Sequence, residues 1–248
     1  MPIKYIVSFY LNSNWFLYDP NPNPRYSRTW DFMPEKVVQK YGTEATSVAT
    51  DVCFSTWGAD WFHAYLAQDE ETQVEFWELS NSASYPRLRE WLSQLPDKLI
   101  DKSSLYVSLG PEGSFFARCN LGYRWHGLPD TAELILQSFL SGNGWKVKPY
   151  QFLFGESDAF VLISTDGDVY YNKFKRHVYP LMYDELDRIM SAGGMVQFLS
   201  FRPSSGTDFF IVYNIDGNTC VLPYAESMNA NGKRLQDYLI RFKRRIKT

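Results

Sequence analysis

The feature that most constrains this chain is a unit that recurs five times along it. An aromatic or apolar pair stands at Trp15-Phe16, Trp61-Phe62, Phe115-Phe116, Phe160-Val161 and Phe209-Phe210, at intervals of 46, 54, 45 and 49 residues. Such a period points to an architecture of stacked supersecondary units, none of which can bury its apolar face alone. A strand-like run precedes each pair (IVSF, DVCF, YVSL, QFLF, FLSF), separated from it by turn formers such as GPEG, TWGA or PSSGT. Each unit therefore opens with a β-hairpin. A second turn (NLG, TDGD, IDGN) leads in most units to a third short strand near Trp30, Trp77, Trp125, Tyr170 and Cys220. A proline then marks the exit, at Pro34, Pro86, Pro129, Pro180 and Pro223. Its fixed φ and missing N–H suit the first turn of a helix.

The unit reads as strand, strand, strand, helix. Helical periodicity puts Leu88, Trp91, Leu92 and Leu95 on one face after Pro86, and Leu134, Ile135, Phe139 and Leu140 on one face after Pro129. The centre of the first strand is small in four units (Ser8, Cys53, Ser108, Ser200), with Leu153 in the other, as suits strands crowding an axis. The pattern predicts a mostly β fold with short helices. It is a single domain, 1–248, of five β-β-β-α repeats (about 1–43, 44–101, 102–146, 147–193 and 194–248) closed as a five-bladed propeller-like toroid. The alternatives are a pentein-type α/β propeller and an open α+β stack.

Composition narrows the function classes. A formal net charge of −3 argues against a general nucleic-acid binder, which needs a concentrated basic surface. The basic end, RFKRRIKT, reads as cations complementing the end of a last helix. Cys53, Cys119 and Cys220 are widely spaced and odd in number, so neither a disulfide framework nor a zinc site is expected, and a reducing cytoplasm fits. The first fifteen residues lack a signal peptide's apolar core, and no run approaches a membrane span, so no membrane partner is expected. No phosphate-binding glycine loop, metal-ligand spacing or nucleophile elbow is present, and no cofactor or metal is implied.

Unit three, through LGPEGSFF and WHGLP between Leu109 and Pro129, resembles a repeat of uncharacterised fungal and protist proteins. In that repeat an LGPDGSWF hairpin leads to an Asp-Gly turn and a WxGLP exit. The resemblance implies a repeat architecture and carries no activity and no functional residue.

Candidate site residues come from places where the repeat is broken, because a polar residue at an otherwise apolar position needs its own explanation. The residue after the aromatic pair is Leu17, His63, Ala117, Leu162 and Ile211, so His63 stands out. On the first strand the series is Ile6, Asp51, Tyr106, Gln151 and Phe198, and Asp51 is its only charge. With TWG as a three-residue hairpin loop, Asp51 falls directly opposite His63, where a carboxylate would orient an imidazole for proton transfer near neutral pH. The alternative is a structural histidine satisfied by a hydrogen bond. Arg118, where Tyr18, Ala64, Ile163 and Val212 stand in the other units, reads as a carboxylate-binding residue or a solvated one. Trp57 and Tyr65 complete the candidate substrate-binding set. His126 reads as a capping or solvated residue and His177 as part of a basic exit loop. Asp60, Asp158 and Asp208 read as turn residues.

Three functions follow as expectations: a binding module for a small organic ligand, sugar or protein segment; a cofactor-independent lyase, cyclase or isomerase using His63 and Asp51; and a protein-interaction scaffold.

Overall fold

The computed structural model describes residues 6–10, 14–18, 28–30, 47–54, 61–67, 77–80, 83–96, 99–101, 104–142, 144–204 and 207–224. The chain forms two compact units, Met1–Gly127 and Leu128–Thr248.

Among the described residues the first unit holds three antiparallel three-stranded sheets. They are β1 (Ile6–Tyr10), β2 (Asn14–Tyr18) and β3 (Arg28–Trp30); β4 (Ser47–Phe54), β5 (Trp61–Ala67) and β6 (Trp77–Leu79); and β7 (Tyr106–Leu109), β8 (Phe115–Cys119) and β9 (Gly122–His126). Helix α1 (Pro86–Ser93) follows the second sheet. The second unit opens with α2 (Asp130–Phe139) and the short pair β10 (Leu140–Ser141) and β11 (Gly144–Trp145). The sheet β12 (Pro149–Phe154), β13 (Phe160–Ser164) and β14 (Val169–Tyr171) comes next, then α3 (Pro180–Ser191). The last described sheet is β15 (Met195–Phe201), β16 (Phe209–Ile215) and β17 (Asn218–Tyr224).

The expected closed five-bladed toroid is overturned, and the pentein-type ring with it. The described strands make small separate antiparallel sheets, each paired only with its chain neighbours, and no barrel or propeller closes among them. Buried apolar side chains gather into two cores rather than around one axis. In the first unit Leu88 and Leu92 of α1 pack with Phe62, Val107, Leu109, Phe115 and Ala117. In the second, Met182, Tyr183, Leu186 and Ile189 of α3 pack with Val161, Ile163, Leu199, Phe209 and Ile211. A three-stranded sheet cannot bury an apolar face unaided. Each fully buried leucine contributes about 1.5–3 kcal/mol.

The prolines act unevenly. Pro86 and Pro180 open α1 and α3, and the residues before them share one backbone conformation, Tyr85 at φ −127° and ψ 58° and Tyr179 at φ −132° and ψ 58°. Pro223 lies inside β17, paired with Phe210, as an outer strand tolerates. On α2 the buried residues are Ala132, Leu136 and Phe139, while Leu134 is 69% exposed, so the apolar face is rotated from the expected one.

Both tyrosines before those prolines tie their helix to a hairpin turn. The Tyr85 hydroxyl donates to the Gly110 carbonyl at 3.0 Å. The Tyr179 hydroxyl donates to the Pro203 carbonyl at 2.5 Å and accepts from the Glu156 N–H at 2.7 Å. Gly155 makes room for that ring, since a Cβ there would stand 2.8 Å from Tyr179 Cε2. The two turns match: Gly110 N donates to Ser114 O at 2.8 Å and Gly155 N to Ala159 O at 2.7 Å, with Glu112 at φ 52° and Ser157 at φ 53°. Buried Gln151 joins β12 to β15 by giving Nε2 to Leu199 O at 2.8 Å and accepting Leu199 N at 3.0 Å.

Two stability effects follow. Tyr179→Phe leaves a carbonyl and an N–H without their partner and is expected to cost about 2 kcal/mol in urea denaturation. The Tyr183 hydroxyl is buried without a hydrogen-bond partner. Tyr183→Phe is therefore expected to leave stability unchanged or raise it by up to about 1 kcal/mol, and a clear loss would contradict the orphaned hydroxyl.

Candidate functional site

The unit-two hairpin has a different register from the one the sequence suggests. A bulge separates Ala49 from Asp51, after which Asp51 pairs with Ala64, Val52 with His63, Cys53 with Phe62 and Phe54 with Trp61. Directly paired residues share a sheet face and the next pair takes the other. Asp51 and His63 are thus one step out of register, and the expected carboxylate–imidazole row is not formed. The cause is the length of the hairpin connection together with the bulge. Bulges interrupt β12 between Pro149 and Gln151 and β15 between Val196 and Phe198, so Asp51 and Gln151 follow the same irregularity. On its other side β5 pairs His63 with Glu78 of β6, a juxtaposition the sequence reading missed. The long segment between the two strands hid it, because no short turn fixed the register of β6 against β5. Tyr65 pairs with Ala49. Trp57 and Asp60 lie outside the described residues.

Arg118 is the penultimate residue of β8, half buried, with Tyr106 of β7 and Tyr123 of β9 as its cross-strand partners. Its Cζ lies 5.3 Å from the centroid of the Tyr106 ring, within cation–π range, and its NH1 donates to the Ser104 carbonyl at 3.2 Å. That carbonyl is held in turn: Ser104 Oγ donates to Asp101 O at 2.5 Å and accepts Asn120 N at 2.8 Å. One edge of the guanidinium is therefore fixed by the protein itself. Trp125 lies one pair along the same face, opposite Phe116, and with Tyr123 it is half buried. Burial raises the Tyr123 phenol above its usual range, against the opposing pull of Arg118.

The remaining candidates have structural partners. His126 Nδ1 accepts from Arg87 NH1 at 3.1 Å, joining the end of β9 to the start of α1. His177 is exposed in the exit loop, beside an arginine with a fixed task. Arg176 NH1 donates to Asp187 at 2.6 Å and NH2 to Asp184, which straps the loop to α3. Asp208 forms a buried ion pair with Arg202 at 2.5 Å, their side chains only 1% and 9% exposed, while Asp158 is an exposed turn residue at φ 62°. Sequence reading treated both aspartates as turn residues; only Asp208 has a cation across its loop. Among the described residues no three His, Cys, Asp or Glu side chains are grouped to hold a metal, and no helix is long and apolar enough to cross a membrane.

Tyr171 is a phenol whose hydroxyl meets a carboxylate side chain. Its hydroxyl donates to Asp187, and its ring stacks on Tyr183 at 4.3 Å. Burial first, and then the Asp187 carboxylate, push it up to about 12. The same hydrogen bond holds Asp187 below the usual carboxylate range, helped by Arg176. Tyr171 therefore contributes stability that is present below pH 10 and lost as pH rises through about 12. Asp187 contributes stability that is present above its unfolded value and lost as pH falls through its lowered one. Ultraviolet titration of phenolate, compared with Tyr171→Phe, should assign to Tyr171 a step near pH 12, and Asp187→Asn should lower that step. Comparison with protein-family models, curated proteins and solved structures finds no match to this chain.

Proposed function

We propose that this protein is a binding module for a small organic ligand carrying an anionic group and a ring. The observation that carries the reading is the row Tyr106, Arg118 and Tyr123, with Trp125 beside it: a half-buried guanidinium held over a phenol, next to half-buried aromatic faces. Aromatic surface supplies stacking area at low entropic cost, and a guanidinium whose orientation is already set loses little freedom when it meets a carboxylate. At the position of Arg118 the other repeats carry Tyr18, Ala64, Ile163 and Val212. The counterparts in β13 and β16 are apolar, which favours one site per chain over a multivalent lectin. The lyase, cyclase or isomerase reading loses its support where Asp51 and His63 fall out of register. Free cysteines, Cys119 buried and Cys220 half buried, suit the reducing cytoplasm proposed for the protein.

Titration with benzoate and with N-acetylglucosamine, followed by proton–nitrogen NMR, tests the reading. Benzoate is expected to shift the Arg118 Nε–H and the Trp125 indole N–H, and Arg118→Gln to weaken it at least tenfold, or about 1.4 kcal/mol. Shifts that survive Arg118→Gln, or no shift at these positions at saturating benzoate, would sink it.

A further inference from the structure

The register of β5 exchanges one carboxylate for another. His63 pairs with Val52 on one side and with Glu78 on the other, whereas Asp51 is displaced to the neighbouring row. Phe62 and Leu79 pair with each other and pack into the core of the first unit, so the row of Val52, His63 and Glu78 belongs to the opposite face of the sheet. Two steps along β5 on that same face stand Trp61 and Tyr65, with Phe54 and Ala49 opposite them. A residue pair in direct antiparallel register has its Cβ atoms about 4.5–5.5 Å apart, within reach of a carboxylate for an imidazole.

We propose that Glu78, not Asp51, is the acidic partner of His63, and that the two form a proton-exchange couple on an aromatic sheet face. Glu78 is a positioning residue: its carboxylate favours the charged imidazole and fixes which ring nitrogen carries the proton. The other nitrogen is then the one available to exchange a proton with a hydroxyl-bearing ligand. By register, the titratable neighbours of His63 on its own sheet are Glu78 on β6 and Tyr65 on β5, with apolar Val52 and Phe54 on β4, and β7, which packs against β5, carries Tyr106. A histidine favoured in its charged form contributes stability that is complete below its unfolded value, about 6.5, and is lost as pH rises through the higher folded value.

The couple rests on His63 as the working residue and is independent of the Arg118 site, so either can fail alone. Proton NMR titration of the full chain, with His126 and His177 removed from the spectrum by single His→Gln variants, measures it. Expected is a His63 midpoint above the reference histidine that falls in Glu78→Gln, returns in Glu78→Asp and does not move in Asp51→Asn. A midpoint that ignores Glu78→Gln in a protein with unchanged amide dispersion overturns the proposal, as does one that follows Asp51→Asn. Should Glu78→Gln fail to fold, Glu78→Ala decides in its place: the His63 midpoint is expected to fall there as well, and a midpoint that stays put overturns the proposal.

Discussion

Every described strand pairs only with its immediate neighbours in the chain, and the rest of the structure follows from that. Three strands expose two faces and two edges, and their ladder bonds run only between strands of the same sheet. What remains to be satisfied is apolar area. In the first unit α1 covers it by packing on Phe62 of β5 and on Val107, Phe115 and Ala117 of the third sheet. In the second unit α3 covers Val161 and Ile163 of β13 together with Leu199, Phe209 and Ile211. A helix shared by two sheets makes them cohere through side chains alone. The Tyr85 and Tyr179 hydroxyls then fix where each helix starts relative to a turn, a task that apolar contact, being non-directional, does poorly.

Local structure was legible where the chemistry is local. The aromatic pair lies at or beside the start of the second strand in all five three-stranded sheets, because a bulky pair after a turn is a β signal that needs no distant partner. Closure was not legible. Small residues at Ser8, Cys53, Ser108 and Ser200 suggested a crowded axis, but small first-strand positions also serve sheets that merely lie side by side. The face of α2 was misread for a related reason: Leu134, Ile135, Phe139 and Leu140 fit a helical stripe, and so do Ala132, Leu136 and Phe139. Which stripe is buried is decided by what it meets.

The candidate site shows the same division. Residue types were readable, as His63 and Arg118 were singled out by the repeat itself. Pairing was not, since a single bulge residue before Asp51 moves that carboxylate to the other face while Glu78, beyond a long connection, falls into line through β6. Register depends on backbone irregularities that leave little trace in side-chain pattern. The Tyr-Pro dipeptides, by contrast, were present to be read. The proline was credited with starting the helix and the tyrosine before it went unnoticed, though its hydroxyl makes the longer-range connection.

The amide of Gln151 occupies both hydrogen-bonding groups of Leu199 on β15. A side chain there does what a neighbouring strand would do, and it does so for one residue only. An incoming strand cannot zip along an edge whose donor and acceptor at Leu199 are already spent. Protection against edge-to-edge association is thus obtained with a single glutamine, without fusing the sheets into one.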